Sequence, residues 1–147
     1  MAKKNELYCT FFINDIQEVS FSYNVDYDCS ELDVDDLQVG MKHSIKIDNE
    51  KNIVGVHLGI IYLTNKENVK LLEYSMNINF RIPELKNIIT EEDNNIVVKD
   101  ENIILNLLNI SVGTLRGALF LKTKGTGLER FPLPVIPSSL LSKSINK

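Results

Sequence analysis

Residues 100–137 read DENIILNLLNISVGTLRGALFLKTKGTGLERFPLPVIP, and the rest of the chain is laid out to receive the helix they encode. Asp100 supplies an N-cap carboxylate, and Glu101 places a negative charge beside the positive helix end. No proline interrupts the run from Ile103 to Leu121. Ile104, Leu107, Leu108, Leu115, Ala118 and Leu119 form one stripe at helical spacing, while Ile103, Ile110, Val112, Phe120 and Leu121 spill outside it. A helix apolar over so much of its circumference is expected to be covered on more than one side. Lys122 and Lys124 complement its negative end, and Gly125 is a natural residue to follow the last turn. Gly113 and Gly117 stand four apart in mid-helix, where each costs ~1 kcal/mol relative to alanine. Close approach of another backbone along that bare strip would offset the cost. A second copy of the chain is the candidate neighbour.

Composition narrows the classes. A chain of 147 residues forms a single domain, 1–147, large enough to bury a core without staples. A net charge of −4, with no cluster of lysine and arginine, argues against a nucleic-acid partner. No uninterrupted apolar run is long enough to span a membrane, and Met1-Ala2-Lys3-Lys4-Asn5 does not open a signal peptide. The two cysteines, Cys9 and Cys29, are then expected as reduced thiols in a cytoplasmic protein.

Ahead of the helix the pattern is that of strands. Tyr8, Thr10, Phe11, Phe12 and Ile13 are strand-forming residues, and Val19, Phe21, Tyr23, Val25 and Tyr27 then alternate with polar ones. The acidic stretch Asp28–Gly40 lacks the glycine turn and closing glutamate of a calcium loop and reads as a solvated connection. Met41, His43, Ile45 and Ile47 alternate next, followed by Val54, Val56, Leu58, Ile60 and Tyr62, opposite which stand Gly55, His57 and Gly59. Leu72, Tyr74, Met76, Ile78, Phe80 and Ile82 complete the set before Pro83 stops the strand. Strands followed by one long helix give an α+β layer: an antiparallel sheet with its helix on one face.

No catalytic constellation emerges. His43 and His57 sit on separate strands without a cysteine or carboxylate at metal-ligand spacing, and neither cysteine lies in a CxxC motif. Gly125-Thr126-Gly127 follows a helix where a phosphate loop would open one. The expectation is a binding or scaffolding protein, not an enzyme, with no cofactor and no metal.

The segment Gly125–Pro137, with Ser138–Leu141 after it, resembles the stretch that follows the long helix in SecB-type protein-export chaperones. In that family a glycine-threonine helix end leads to an apolar extended run with a Pro-Val pair, here Pro134-Val135, and then to a short terminal helix. Arg116 falls where the family carries a helix arginine. Leu71-Leu72-Glu73-Tyr74 is similar to its third strand, and Phe11–Asn24, with Ser20-Phe21, to its first. The likeness runs from about Tyr8 to Leu141 and rests on the order and spacing of short motifs.

The resemblance implies a four-stranded antiparallel sheet, a long C-terminal helix packed on one face and a short terminal helix. It implies an ATP-independent holdase that keeps polypeptides unfolded and assembles as a dimer of dimers, helices sandwiched between sheets. Leu72, Tyr74 and Met76 match the strand face tied to assembly, to which Gly113 and Gly117 would add the helix strip. Glu18, Leu71 and Glu73 match positions that contact the SecA motor. Ser22 stands where the family has a second acid, and Ser142–Lys147 is not a zinc-binding tail, so client holding is expected ahead of motor delivery. Tail-less relatives include chaperones for antitoxins.

The client site is expected on the proline-rich run. Pro132, Pro134 and Pro137 resist helix and central-strand pairing, which leaves Phe131, Leu133, Val135 and Ile136 extended along a groove. Leu128, Leu140 and Leu141 would form its other wall. Two other readings stand beside this one. The chain is a structural subunit of an oligomer whose apolar run merely seals the core, or it is a small-molecule barrel.

Overall fold

A computed structural model describes residues 10–136. Four strands carry the core: β1 (Phe12–Tyr23), β2 (Leu37–Asp48), β3 (Ile53–Thr64) and β4 (Lys70–Arg81). They form one antiparallel sheet in the order β1-β4-β3-β2. A single turn, α1 (Leu85–Ile88), and a small hairpin, β5 (Ile89–Glu92) with β6 (Asn95–Val98), lead to α2 (Glu101–Thr123). The fold is therefore α+β, a four-stranded antiparallel sheet with a long helix at its C-terminal end. The sheet is open, with β1 and β2 at its two edges, which sets aside a closed barrel.

Turn chemistry sets the hairpins. Asp48 accepts from the amides of Glu50 and Lys51 between β2 and β3, and Thr64 Oγ1 accepts from Val69 N between β3 and β4. Among the described residues, the non-glycine positions with positive φ are Asn52, Asn68, Asp93 and Asn94, the side chains that best tolerate it. Asp93 and Asn94, adjacent at 49° and 65°, turn the β5–β6 hairpin.

Because β1 and β2 lie at opposite edges, the acidic segment between them must cross the sheet. It contains a 3-10 turn, Val34–Asp36, closed by a capping box in which Asp33 and Asp36 each accept from the other's end of the turn.

The central strands are buried on the side that faces α2. Val54, Val56, Leu58, Ile60 and Tyr62 of β3 and Leu72, Tyr74, Met76, Ile78 and Phe80 of β4 are each at most 2% exposed. Leu107, Leu108, Val112, Leu115 and Leu119 of α2 share that core, and the helix lies against β3 and β4. Its ends follow the chemistry of the sequence. Asp100 caps the first turn by accepting from Asn102 N at 2.9 Å, and Gly125 leaves the last turn at φ 81°. By length and a mean hydropathy of 1.5, α2 would also suit a membrane span, but its buried stripe is taken up by the sheet.

The N-terminal strands depart from the sequence pattern. One strand replaces the two runs, and it ends at Tyr23, where Asn24 Oδ1 accepts from Asp26 N. Val25, expected on the buried side, is 78% exposed. Pairing with β4 slips twice, leaving Asn14 and Val19 as extra residues. Each slip is a bulge that reverses the inside-outside alternation of the residues beyond it. Val19 is thereby 52% exposed, while Phe21 still faces Tyr74, ring on edge at 5.7 Å.

Candidate functional site

The run after α2 lies as a strap against the core, held by its carbonyls. Pro132 and Pro134 have no amide hydrogen to give, so the ties come from side chains elsewhere. The Tyr62 hydroxyl donates to the Phe131 carbonyl at 2.9 Å. From α2, Arg116 donates through Nε to the Leu133 carbonyl and through Nη2 to that of Pro134, both at 3.0 Å. Arg130 reaches the crossing segment, donating to the carbonyls of Cys29 and Leu32 at 2.6 Å while its guanidinium lies over the Phe131 ring at 4.8 Å. Gly127 permits this closeness, since a Cβ there would stand 2.8 Å from Cys29 Cβ.

The strap divides the expected client residues. Leu128 and Leu133 are buried at 0% and 3% exposure and fill the core, so their side chains are not presented to a client. Phe131 and Ile136 are half-buried against that core, and Val135 is 84% exposed. Leu140 and Leu141, like the expected terminal helix and Cys9, lie outside the described residues. Tyr62 and Arg130 were not singled out by the sequence. Nothing local in the sequence marks either tether, since both act on backbone carbonyls far along the chain.

The three positions matched to a motor contact do not converge. Glu18 lies on the helix side of the sheet, accepting from Tyr74 Oη at 3.1 Å and pairing with Lys122 at 2.9 Å. Glu73 lies on the opposite side, held by Lys70 at 3.0 Å. Leu71, expected outward, is 1% exposed and part of the core. The causes are bulges: Val19 reverses the alternation at Glu18, and a shift in the β3–β4 register leaves Leu71 as an extra residue between Leu72 and Lys70. Lys122 holds the Glu18 carboxyl below its ordinary pKa, against the smaller opposing effect of burial and with help from the Tyr74 hydroxyl.

The expected assembly residues divide as well. Leu72, Tyr74 and Met76 are buried within the protomer beneath α2, with no surface left for a second copy. Gly113 and Gly117 are exposed, and a Cβ added at either would meet nothing within 4 Å. Around them Ile110, Phe120 and Leu121 are 36%, 49% and 69% exposed. From Asn102 to Leu115 the helix carries no charge. The next two charges are both engaged, Arg116 on the strap and Lys122 on Glu18. The Glu18–Lys122 pair also sets the end of α2 beside β1, whose Ile13 and Ile16 face the helix side and are half exposed.

His43 is half-buried on β2, and burial pushes its imidazole pKa down. His57 lies on the other side of the sheet, bonded through Nδ1 to Asn77 Oδ1 at 2.6 Å. The Cys29 thiol is buried, and burial raises its pKa. Among the described residues no group of three or more histidine, cysteine, aspartate or glutamate side chains is arranged to hold a metal ion. Comparison of the sequence with protein-family models and with curated proteins finds no match.

Proposed function

We propose that the chain is an ATP-independent holdase of the SecB type, which assembles through α2 and binds unfolded polypeptide, either a precursor for export or an antitoxin. The observation that carries this reading is the uncharged outer strip of α2. Ile110, Gly113, Gly117, Phe120 and Leu121 form an apolar and small-residue strip, with the half-exposed Ile13 and Ile16 on the helix side of β1. A soluble protein rarely leaves a contiguous apolar surface without a partner to cover it. A four-stranded antiparallel sheet, one long helix and a proline-rich extended run is also the order of parts that the SecB resemblance implies.

A second reading is a structural subunit that assembles through the same strip and holds no client. The burial of Leu128 and Leu133 favours it, because those leucines close the core where a client groove was expected. One experiment separates the two. Light scattering follows a slowly folding protein diluted from denaturant without ATP, and sedimentation measures the mass of the chain. A holdase suppresses scattering at near-stoichiometric amounts. An assembled chain that leaves scattering unchanged is the structural subunit, and a stable monomer rules out both.

A further inference from the structure

The side of the sheet turned away from α2 carries a trough whose floor is β3. Along it Gly55, His57 and Gly59 alternate with residues of the core, and each is flanked by a rung of paired neighbours. Lys46 and Asn79 flank Gly55, Ser44 and Asn77 flank His57, and Lys42 and Ser75 flank Gly59. The glycines keep the floor low. A Cβ at Gly55 would fall 2.8 Å from Asn79 Oδ1, and one at Gly59 would fall 3.1 Å from Lys42 Cε. Hollows of about 470 and 480 Å³ result, and His57 lines both.

The walls differ in chemistry. One side carries the amines of Lys42 and Lys46, with Lys51 at the hairpin end, and none of the three makes a salt bridge among the described residues. Of the carboxylates at the margins, Glu73 is paired with a cation, while Asp15 and Asp48 accept from neutral amides and keep their charge, which leaves the trough with a surplus of one lysine. Asp15 accepts from Asn79, Asp48 from the amides of Glu50 and Lys51, and Glu73 from Lys70. The other wall is hydroxyl and carboxamide. Asn77 gives its oxygen to His57 and leaves its amide nitrogen without a partner, a group suited to a peptide carbonyl.

Surplus positive charge on one wall, hydrogen-bonding groups on the other and an open, low floor define what fits. We propose that this trough docks an extended acidic segment of a partner protein, with its carboxylates on Lys42 and Lys46 and its backbone along the Ser75–Asn77 wall. The spacing suits a peptide. Side chains four residues apart on a strand are separated by ~13 Å, the same as in an extended ligand lying parallel to β2. A single-stranded nucleic acid is the poorer fit, since the one phenylalanine, tyrosine or tryptophan lining the hollows, Tyr74, has its ring buried in the core against Phe21, which leaves no ring on the floor for bases to stack on. The proposal does not depend on the holdase reading and concerns the opposite side of the sheet.

The test uses the full chain, a fluorescent peptide alternating glutamate with threonine, its lysine–threonine counterpart and a single-stranded oligothymidine. The acidic peptide should bind, lose affinity as salt is raised, and protect Lys42 and Lys46 of the wild-type chain from acylation. Lys42→Gln/Lys46→Gln should weaken binding about tenfold or more, with unchanged circular dichroism and sedimentation, while Lys66→Gln on the β3–β4 turn should not. Protection from acylation needs no variant, so a folding failure of the double mutant leaves the outcome readable. No binding of the acidic peptide, equal binding of the basic one, or no protection of the two lysines would overturn the proposal. Preferential binding of the oligonucleotide would overturn it in favour of a polyanion site.

Discussion

The Tyr62 ring is fully buried, yet its hydroxyl reaches the one carbonyl that the strap offers it, that of Phe131. Loss of that bond in Tyr62→Phe removes the donor to a part-buried carbonyl and should lower stability in urea by about 0.5–1.5 kcal/mol. The same burial pushes the phenol pKa up to about 12, and Tyr74 is also raised to about 12, by burial first and then by Glu18. Between about pH 10, where an unfolded tyrosine ionises, and the folded values, the folded chain binds more protons than the unfolded one. The stability contributed by these groups is thus intact below pH 10 and falls as pH rises towards 12, by up to about 1.4 kcal/mol per unit for each phenol. Urea midpoints at pH 7, 10 and 11 should show the loss in wild type and a shallower one in Tyr62→Phe/Tyr74→Phe. Equal slopes would show that the ring environment is not as described. None of this was legible beforehand: Tyr62 reads as one more residue of a greasy strand face, and its partner is a backbone atom 69 residues away.

α2 was legible from end to end because its signals are local. A cap at Asp100, no proline, helical spacing and a positive-φ glycine at 125 each act within a turn or two. The strand faces were legible only where pairing stays regular. Alternation placed β3 and the inward face of β4 correctly, from Val54 to Tyr62 and from Leu72 to Phe80. It failed at Glu18, Val19 and Leu71, because a bulge is set by pairing with another strand and inverts every side chain beyond it. The client and motor positions carried over from the SecB resemblance were vulnerable to the same fault. For α2 itself, the emptiness around Gly113 and Gly117 gives a two-sided prediction. In an isolated protomer, Gly113→Ala/Gly117→Ala should stabilise the helix by about 1 kcal/mol per site, from propensity alone. If another backbone approaches that strip closely, the same double variant should instead reduce the sedimenting mass. Higher thermal stability with unchanged mass would remove the glycines from the assembly surface.

At the scale of the molecule, the question is where an unfolded chain would touch this one. The expected groove on the strap has lost one side chain from each of its walls, since Leu128 and Leu133 belong to the core. The apolar surface still accessible includes Val135 on the strap, the outer strip of α2 and the helix-side margin of β1 at Ile13 and Ile16, besides Phe12, Val19, Val25, Val34 and Val97 elsewhere. Fully burying one such side chain is worth about 1.5–3 kcal/mol, so a client touching several at once would bind usefully without a fixed sequence. Assembly as proposed would compete for the same α2 strip, so a holdase would have to keep some of this surface free once assembled. Variants can therefore be sorted by position. Val135→Ser removes an exposed side chain and should weaken suppression of aggregation while leaving the melting temperature within a degree or so. Leu133→Ser buries a hydroxyl in the core and should cost several kcal/mol, so its effect on suppression reports folding alone. Ile13→Ser/Ile16→Ser should reduce suppression at unchanged mass if β1 is client surface, and reduce mass if it is subunit surface. Should both exposed-site variants match wild type in mass and in suppression, clients are held elsewhere. If wild type suppresses nothing, the apolar strip serves assembly alone and the structural reading is the correct one.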